Sequence, residues 1–501
     1  MRRRLPSIEV VAFAVGAASL GTEIAATRLM APWFGDSTIV WANTIATVLV
    51  ALSAGYFVGG RLADRDPTLR GLSWVVLVAA GLLAVVPFVA GPFLRTSVDA
   101  LDTVSAGGFV GSLLGVLVLI AVPVLLLGTV APYAVRLSVT TVEEAGRVSG
   151  RLYAISTLGS LAGVFAAALV LIPFVGTRRT FLAFAFMLAL VAALGLGRRA
   201  VLAPVALAGL LLLPVGTVKT TGPGRVIWER DTAYQYARVV EDPDGERRLE
   251  LNEGQAVHSV YRPGQWLTGN YWDEFLVLPL AARPTPPRSV AILGNAAGTT
   301  ARAYGHFFPG TRVDGVEIDG ELTKVGRELF GLGGPNVHLH TADARPFLRG
   351  TKRRFDTIFV DAYHQPYIPF YLATREFFQL ARDRLTPGGS VVVNVGHPAG
   401  DQHLEQVLSS TMRAVFRTVV RDPSEDVNSI LLATDATASP AALRAAAPAL
   451  APALQTVART TASRLGPGLR GGRVYTDDVA PVEWLVDASL VKVAADGRRT
   501  P

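Results

Sequence analysis

Apolar residues crowd into the first half of this 501-residue chain in long runs, and the pattern stops at Lys219. A hydrocarbon core takes about 20 apolar residues per helix. Seven stretches, near 8–30, 39–60, 72–94, 109–131, 149–175, 180–197 and 200–218, approach that length. Lipid offers no partner to a backbone amide, so each is expected to be helical. Met1-Arg-Arg-Arg4 before an apolar stretch is also how a signal peptide opens, but no small-residue cleavage site is evident and more spans follow. Residues 1–218 are therefore expected to form a multi-pass, polytopic α-helical domain of the cell membrane with the lipid bilayer as its partner. Small residues recur in Gly16-Ala-Ala-Ser-Leu-Gly21 and Gly159-Ser-Leu-Ala-Gly163, where they let helices approach closely.

Charge orients the spans. Arg2 to Arg4, then Arg61, Arg65 and Arg70, then Arg136, Arg147 and Arg151 mark the N-terminus and two loops as cytoplasmic. The soluble half is expected on the cytoplasmic side too. Yet seven spans from a cytoplasmic start would leave it outside, and Arg178 and Arg179 would fall in an external loop. The span count stays ambiguous at this stage. Gly59-Gly-Arg-Leu-Ala-Asp64-Arg65 looks like a loop signature of major-facilitator transporters over that one loop. Glu23 and Arg28 lie in or near the first span, where charge is costly and marks a functional candidate. The net charge of +7 does not imply nucleic acid, because many arginines sit at the ends of apolar runs. With no cysteine, disulfides, thiolate metal sites and cysteine nucleophiles are excluded. The histidines show no ligand spacing beyond His338 and His340, which alternate on a strand, so no metal site is expected.

After Lys219 the rhythm is that of an α/β protein. Arg238-Val-Val-Glu241 and Arg248-Leu-Glu-Leu-Asn252 flank Asp244-Gly245, a hairpin signal, and 219–283 is expected to be a small β-domain. Beyond Arg283-Pro-Thr-Pro-Pro-Arg288, apolar runs at 289–294, 313–317, 337–340, 355–361 and 390–394 alternate with helical stretches. This predicts a doubly wound parallel sheet over 284–436, a Rossmann-like, methyltransferase-type domain. Residues 437–501 are expected to add helices and a closing segment.

Ligands of such sheets bind beyond the carboxyl ends of the strands, so residues just after each run are the candidates. Gly294-Asn-Ala-Ala-Gly298 is a glycine turn that admits close backbone approach, through Gly294 and Gly298. Glu317 ends the next strand, where a carboxylate can accept ribose hydroxyls. Asp343, in Thr341-Ala-Asp-Ala344, can accept from an adenine amino group. Asp361 ends the fourth run, in Val360-Asp-Ala-Tyr-His364. His364 is a second candidate base near neutral pH, and the aromatic, proline-rich stretch Tyr363–Tyr371 reads as a lid.

On these residues the chain resembles the spermidine synthase family of aminopropyltransferases, over roughly 225–420. It looks more specifically like the membrane-fused spermidine synthase-like proteins, with Tyr153-Ala-Ile-Ser-Thr-Leu-Gly159 and Tyr475-Thr-Asp-Asp-Val-Ala-Pro-Val-Glu483 also similar to theirs. The resemblance implies aminopropyl transfer from decarboxylated S-adenosylmethionine, a co-substrate and not a resident cofactor, to a small-molecule amine. It assigns Gln235, Glu317, Asp343 and Ala344 to the donor, with the glycine loop. Asp361 is implied as proton acceptor, and Tyr271, Trp272 and His364 as lining the acceptor. Departures fall on the acceptor side: Ala297 and His364 stand where the family carries acids, and Trp272 where it carries histidine. A dication needs carboxylates to offset its desolvation, so plain putrescine is not the expected acceptor. Two alternatives are a methyltransferase using intact S-adenosylmethionine, and a non-catalytic polyamine or nucleoside sensor or transporter. Homo-oligomerisation is left open.

Overall fold

The computed structural model describes residues 8–34, 38–101, 107–212, 224–252, 257–363, 368–482 and 484–486. Contacts divide the chain into two units, one of residues 1–220 with 229–236, the other of residues 221–228 with 237–501.

The first unit is helical. Among the described residues six helices, Ile8–Met30, Val40–Arg65, Leu69–Leu94, Ala121–Ser138, Ala145–Leu171 and Thr177–Leu196, are long and apolar enough to cross a membrane. Two expected spans need correction. The stretch near 109–131 is divided into Val110–Leu119 and Ala121–Ser138, and only the second reaches spanning length. The seventh, 200–218, is a helix of ten residues at Leu202–Leu211, about 15 Å at 1.5 Å per residue and half of what a bilayer core requires; residues 213–218 lie outside the described residues. The two small-residue motifs meet each other. A Cβ on Gly159 or Gly163 would collide with the carbonyl of Phe13 or Ala17, and one on Gly16 with that of Ser156. Glycine there permits helix backbones to touch. Arg28 does not stand unpaired in this unit, for its guanidinium donates to the Thr232 carbonyl at 2.7 Å. Asp231 likewise accepts from the N–H and hydroxyl of Thr177 at 3.2 and 2.9 Å.

A four-stranded sheet follows in sequence order, β1 (Arg225–Asp231), β2 (Tyr236–Glu241), β3 (Arg247–Leu251) and β4 (Val257–Tyr261). The division between units falls inside β1. β2 and β3 pair antiparallel across Asp244-Gly245, and Gly245 takes the positive φ of +83° that the turn demands.

The second sheet has eight strands: β5 (Ser289–Leu293), β6 (Arg312–Glu317), β7 (Val337–Thr341), β8 (Phe355–Val360), β9 (Leu385–Gly396), β10 (Thr418–Glu425), β11 (Asn428–Thr434) and β12 (Gly466–Pro467). Their order is β12-β10-β11-β9-β8-β5-β6-β7. The five expected runs are the five parallel strands. The expectation of a wholly parallel sheet is incomplete, because β10 and β11 form an antiparallel hairpin on β9. After β5 the chain builds outward through β6 and β7, then crosses to β8 on β5's other side. The strand order therefore reverses at β5, which opens a crevice at its carboxyl end. Buried Val, Ile, Leu and Phe fill both faces of these strands, as a sheet covered on both sides requires. Past β11, helices Pro440–Ala446 and Pro452–Arg464 pack on this domain. The closing segment is tied in by Asp477, which accepts from Arg345 at 2.8 and 2.6 Å and from the Thr374 hydroxyl at 2.7 Å.

Candidate active site

β5 delivers the chain into the glycine turn and then the helix Thr299–Phe307. Three residues of the turn hold positive φ: Gly294 at +85°, Ala296 at +43° and Gly298 at +92°. Gly294 is needed twice over. Its conformation disfavours a side chain, and a Cβ there would run into the backbone of Asp361 and Ala362. Ala296 lacks glycine's freedom and is held by its N–H, which donates to Glu317 Oε2 at 2.8 Å. Glu317 ends β6, and its Oε1 accepts the N–H of Asp319 at 3.0 Å. Burial pushes its carboxyl up to about 7, against the pull of those N–H donors. Each oxygen retains a second lone pair, so Glu317 shapes the loop and can still accept from a ligand hydroxyl.

Asp361 follows β8, its N–H bonded to Leu293 O at 2.8 Å. Asn394 Nδ2 donates to Oδ1 at 2.8 Å. The Tyr271 hydroxyl spans both oxygens at 3.3 and 3.2 Å, and Trp272 Nε1 reaches Oδ2 at 3.3 Å. The Asn394 amide is itself oriented, because Asn428 Nδ2 donates to its Oδ1 at 2.8 Å. Burial raises the Asp361 carboxyl to about 7, while Asn394, Tyr271 and Trp272 oppose the rise. Burial and the charge of Asp361 push the Tyr271 phenol well above its usual range, so it remains a donor. Trp272 is 4% exposed. Its indole N–H braces Asp361.

Asp343 follows β7 and caps the helix Ala344–Gly350, accepting the Arg345 N–H at 2.9 Å and the Tyr371 hydroxyl at 3.0 Å. Ala344 behind it is buried. Gln235 sits in the turn between β1 and β2, its N–H and carbonyl both bonded to the Thr232 hydroxyl at 3.0 and 2.9 Å. His364 lies outside the described residues, as does the middle of the expected lid. The lid's two ends are fastened: Tyr371 to Asp343, and Tyr363 to the Asn394 carbonyl at 3.0 Å and the Gly396 N–H at 2.6 Å. Ala297 is fully enclosed among Leu322, Val325 and Phe330. His338 and His340 are engaged with Arg312 and Asp314 at 2.7 and 2.8 Å, and among the described residues no group of three His, Cys, Asp or Glu could hold a metal ion.

The crevice thus brings together Gly294, Glu317, Asp361, Tyr271 and Trp272. Sequence reading missed Asn394, Asn428 and Glu425. Asn394 was signalled, since it is the polar residue closing the run Ser390-Val-Val-Val-Asn394, the same position at which three acids were found. Asn428 and Glu425 had no such signal, because the β10–β11 hairpin that carries them was not anticipated.

A doubly wound sheet with a glycine turn after its first strand, and carboxylates after the next three, defines a Rossmann-like domain. Residues 273–424 match the family described as the spermine/spermidine synthase domain. It is 32% identical over 219 residues to a "probable polyamine aminopropyl transferase" of Bifidobacterium longum, covering 42% of this chain and 48% of that one; the chain spans about half the length of this relative. It is 28% identical over 442 residues to a "polyamine aminopropyltransferase" of Mycobacterium tuberculosis, covering 80% of this chain and 79% of that one. A match that long extends from the α/β half into the helical half. Among solved structures it is similar to a probable spermidine synthase from Corynebacterium glutamicum (22% identity, TM-score 0.39, 51% of this chain and 99% of that one). A second is the spermidine synthase of Thermotoga maritima (22% identity, TM-score 0.36, 44% and 78%).

Proposed function

We propose that this chain is a membrane-bound aminopropyltransferase that uses decarboxylated S-adenosylmethionine and an amine other than plain putrescine. The observation that carries the reading is Asp361. Its carboxyl ionises near neutrality, has three fixed donors, and lies against the glycine turn. The donor's sulfonium supplies an activated carbon. An amine lone pair forms the new C–N bond there while the C–S bond breaks, and methylthioadenosine leaves as a neutral thioether. The surplus proton of the acceptor ammonium passes to Asp361, a base suited to operation near pH 7. Glu317 would take the ribose hydroxyls on its remaining lone pairs. Asp343 and Ala344 would complete the nucleoside site. Holding amine and carbon in line provides most of the acceleration expected here.

Six apolar helices of spanning length support placement in the cell membrane. An even number of crossings returns the chain to the side on which it begins. With Arg2 to Arg4 cytoplasmic, the α/β half falls on the cytoplasmic side, while Arg178 and Arg179 stay at the external start of the sixth helix, against the charge rule.

The test is methylthioadenosine release by the detergent-solubilised full chain, from the decarboxylated donor and a panel of amines. Release that depends on an amine is expected. Turnover with intact S-adenosylmethionine alone would instead establish methyl transfer, and no binding of either sulfonium or of methylthioadenosine would defeat both readings.

A further inference from the structure

At the two positions where the resemblance implies acids, this sequence has Ala297 and His364, so it offers fewer carboxylates for an acceptor amine. Of the other carboxylates on the short helix Trp272–Phe275 and on β10, most are committed. Glu274 and Asp422 share the Arg464 guanidinium. Asp273 accepts the N–H groups of Thr268 and Gly269 at 2.8 to 3.1 Å. Glu425 differs. It ends β10, at the mouth of the hairpin, and is half-buried. Its Oε1 accepts the backbone N–H of Tyr271 at 2.9 Å. Its Oε2 has no partner among the described residues, and no lysine or arginine among them pairs with it.

The geometry ties Glu425 to the base by two routes. Tyr271 is a strut with its backbone N–H on Glu425 and its hydroxyl on Asp361, so the two carboxylates stand one tyrosine apart. Asn428, across the turn, orients Asn394, which donates to Asp361. The hairpin therefore reaches the base both from its first strand and from its second. We infer that Glu425 determines acceptor specificity, its free oxygen receiving a second cationic nitrogen of the acceptor while the first is held at Asp361. The acid is supplied from the antiparallel hairpin in place of those missing from the glycine turn and from the loop after β8. The acceptor class is then an aliphatic amine with two separated charges, its spacing set by the Tyr271 strut. This inference rests on the aminopropyl-transfer reading.

The experiment compares the full chain with Glu425→Gln and Glu425→Ala, measuring methylthioadenosine release with α,ω-diamines of three to six carbons and monoamines of the same lengths. Glutamine can still accept the Tyr271 N–H, so it removes the charge and keeps the strut. For the preferred diamine, Glu425→Gln is expected to raise KM about 10-fold or more, the usual scale for losing a charged partner. Its effect on kcat should be smaller, and the KM for monoamines should move far less. Equal changes for diamines and monoamines, or none, would overturn the assignment and leave Glu425 as a fastening for Tyr271. A wild-type chain that binds methylthioadenosine but turns over no amine would instead remove the transferase reading, and this inference with it.

Discussion

At the scale of single residues, the proposed chemistry rests on Asp361, and its neighbours set its ionisation. A buried carboxyl with its pKa raised to about 7 is half protonated at neutrality, and only the ionised form can accept a proton. The acidic limb of kcat/KM against pH is therefore expected to rise through a midpoint near 7. Asn394 donates to the ionised form and lowers the pKa. Asn394→Ala should move that midpoint to higher pH, and an unshifted limb in the variant would show that Asn394 does not tune the base. Asp361→Asn should cost about 10²-fold or more in rate while methylthioadenosine binding, measured calorimetrically, persists. The raised value itself follows from desolvation, which depends on residues distant in sequence and could not be assigned from the motif Val360-Asp-Ala alone.

Between residue and domain, the glycine turn and the hairpin decide the shape of the crevice. Gly294 combines a left-handed conformation with direct backbone contact to the strand end bearing Asp361. Gly294→Ala adds strain of about 1–2 kcal/mol and a collision with Asp361 and Ala362. The expected outcome is loss of methylthioadenosine binding, with circular dichroism retaining the α/β signature. Tight binding in that variant would show the turn to be more yielding than its contacts imply. The turn was legible as Gly294-x-x-x-Gly298, because glycine spacing after an apolar run has few other uses. The hairpin Thr418–Thr434 was not. Its strands carry Arg421, Asp422 and Glu425, and a strand reads as such only when its polar residues alternate cleanly with apolar ones. Here Arg421 and Asp422 find partners in Glu405 and Arg464, which the sequence alone does not bring near.

For the whole molecule, the consequence is location. In the proposed membrane placement, exposed Leu, Val and Phe on the helices of spanning length, such as Val50, Phe57 and Leu158, would face lipid. The chain is expected to stay with membranes through a high-salt wash and to leave only with detergent. A reporter fused after Lys219 should read cytoplasmic. Release by salt, or an external reporter, would overturn the topology.

The sequence by itself determined the two-part organisation, the β2–β3 turn, the five parallel strands and the acids after β6, β7 and β8. All of these depend on local periodicity or on the residue that ends a run, and such signals survive without knowledge of the partner segment. Tertiary structure alone decided that 200–218 gives only a ten-residue helix within its described part, that an antiparallel hairpin joins the sheet, and that the Trp272 indole N–H braces Asp361. It also brought Glu425 to the Tyr271 N–H and Asn428 to Asn394, and Tyr271 and Asn394 both donate to Asp361. These outcomes turn on which distant side chains meet and how deeply charge is buried, and both are properties of packing that no single stretch of chain encodes.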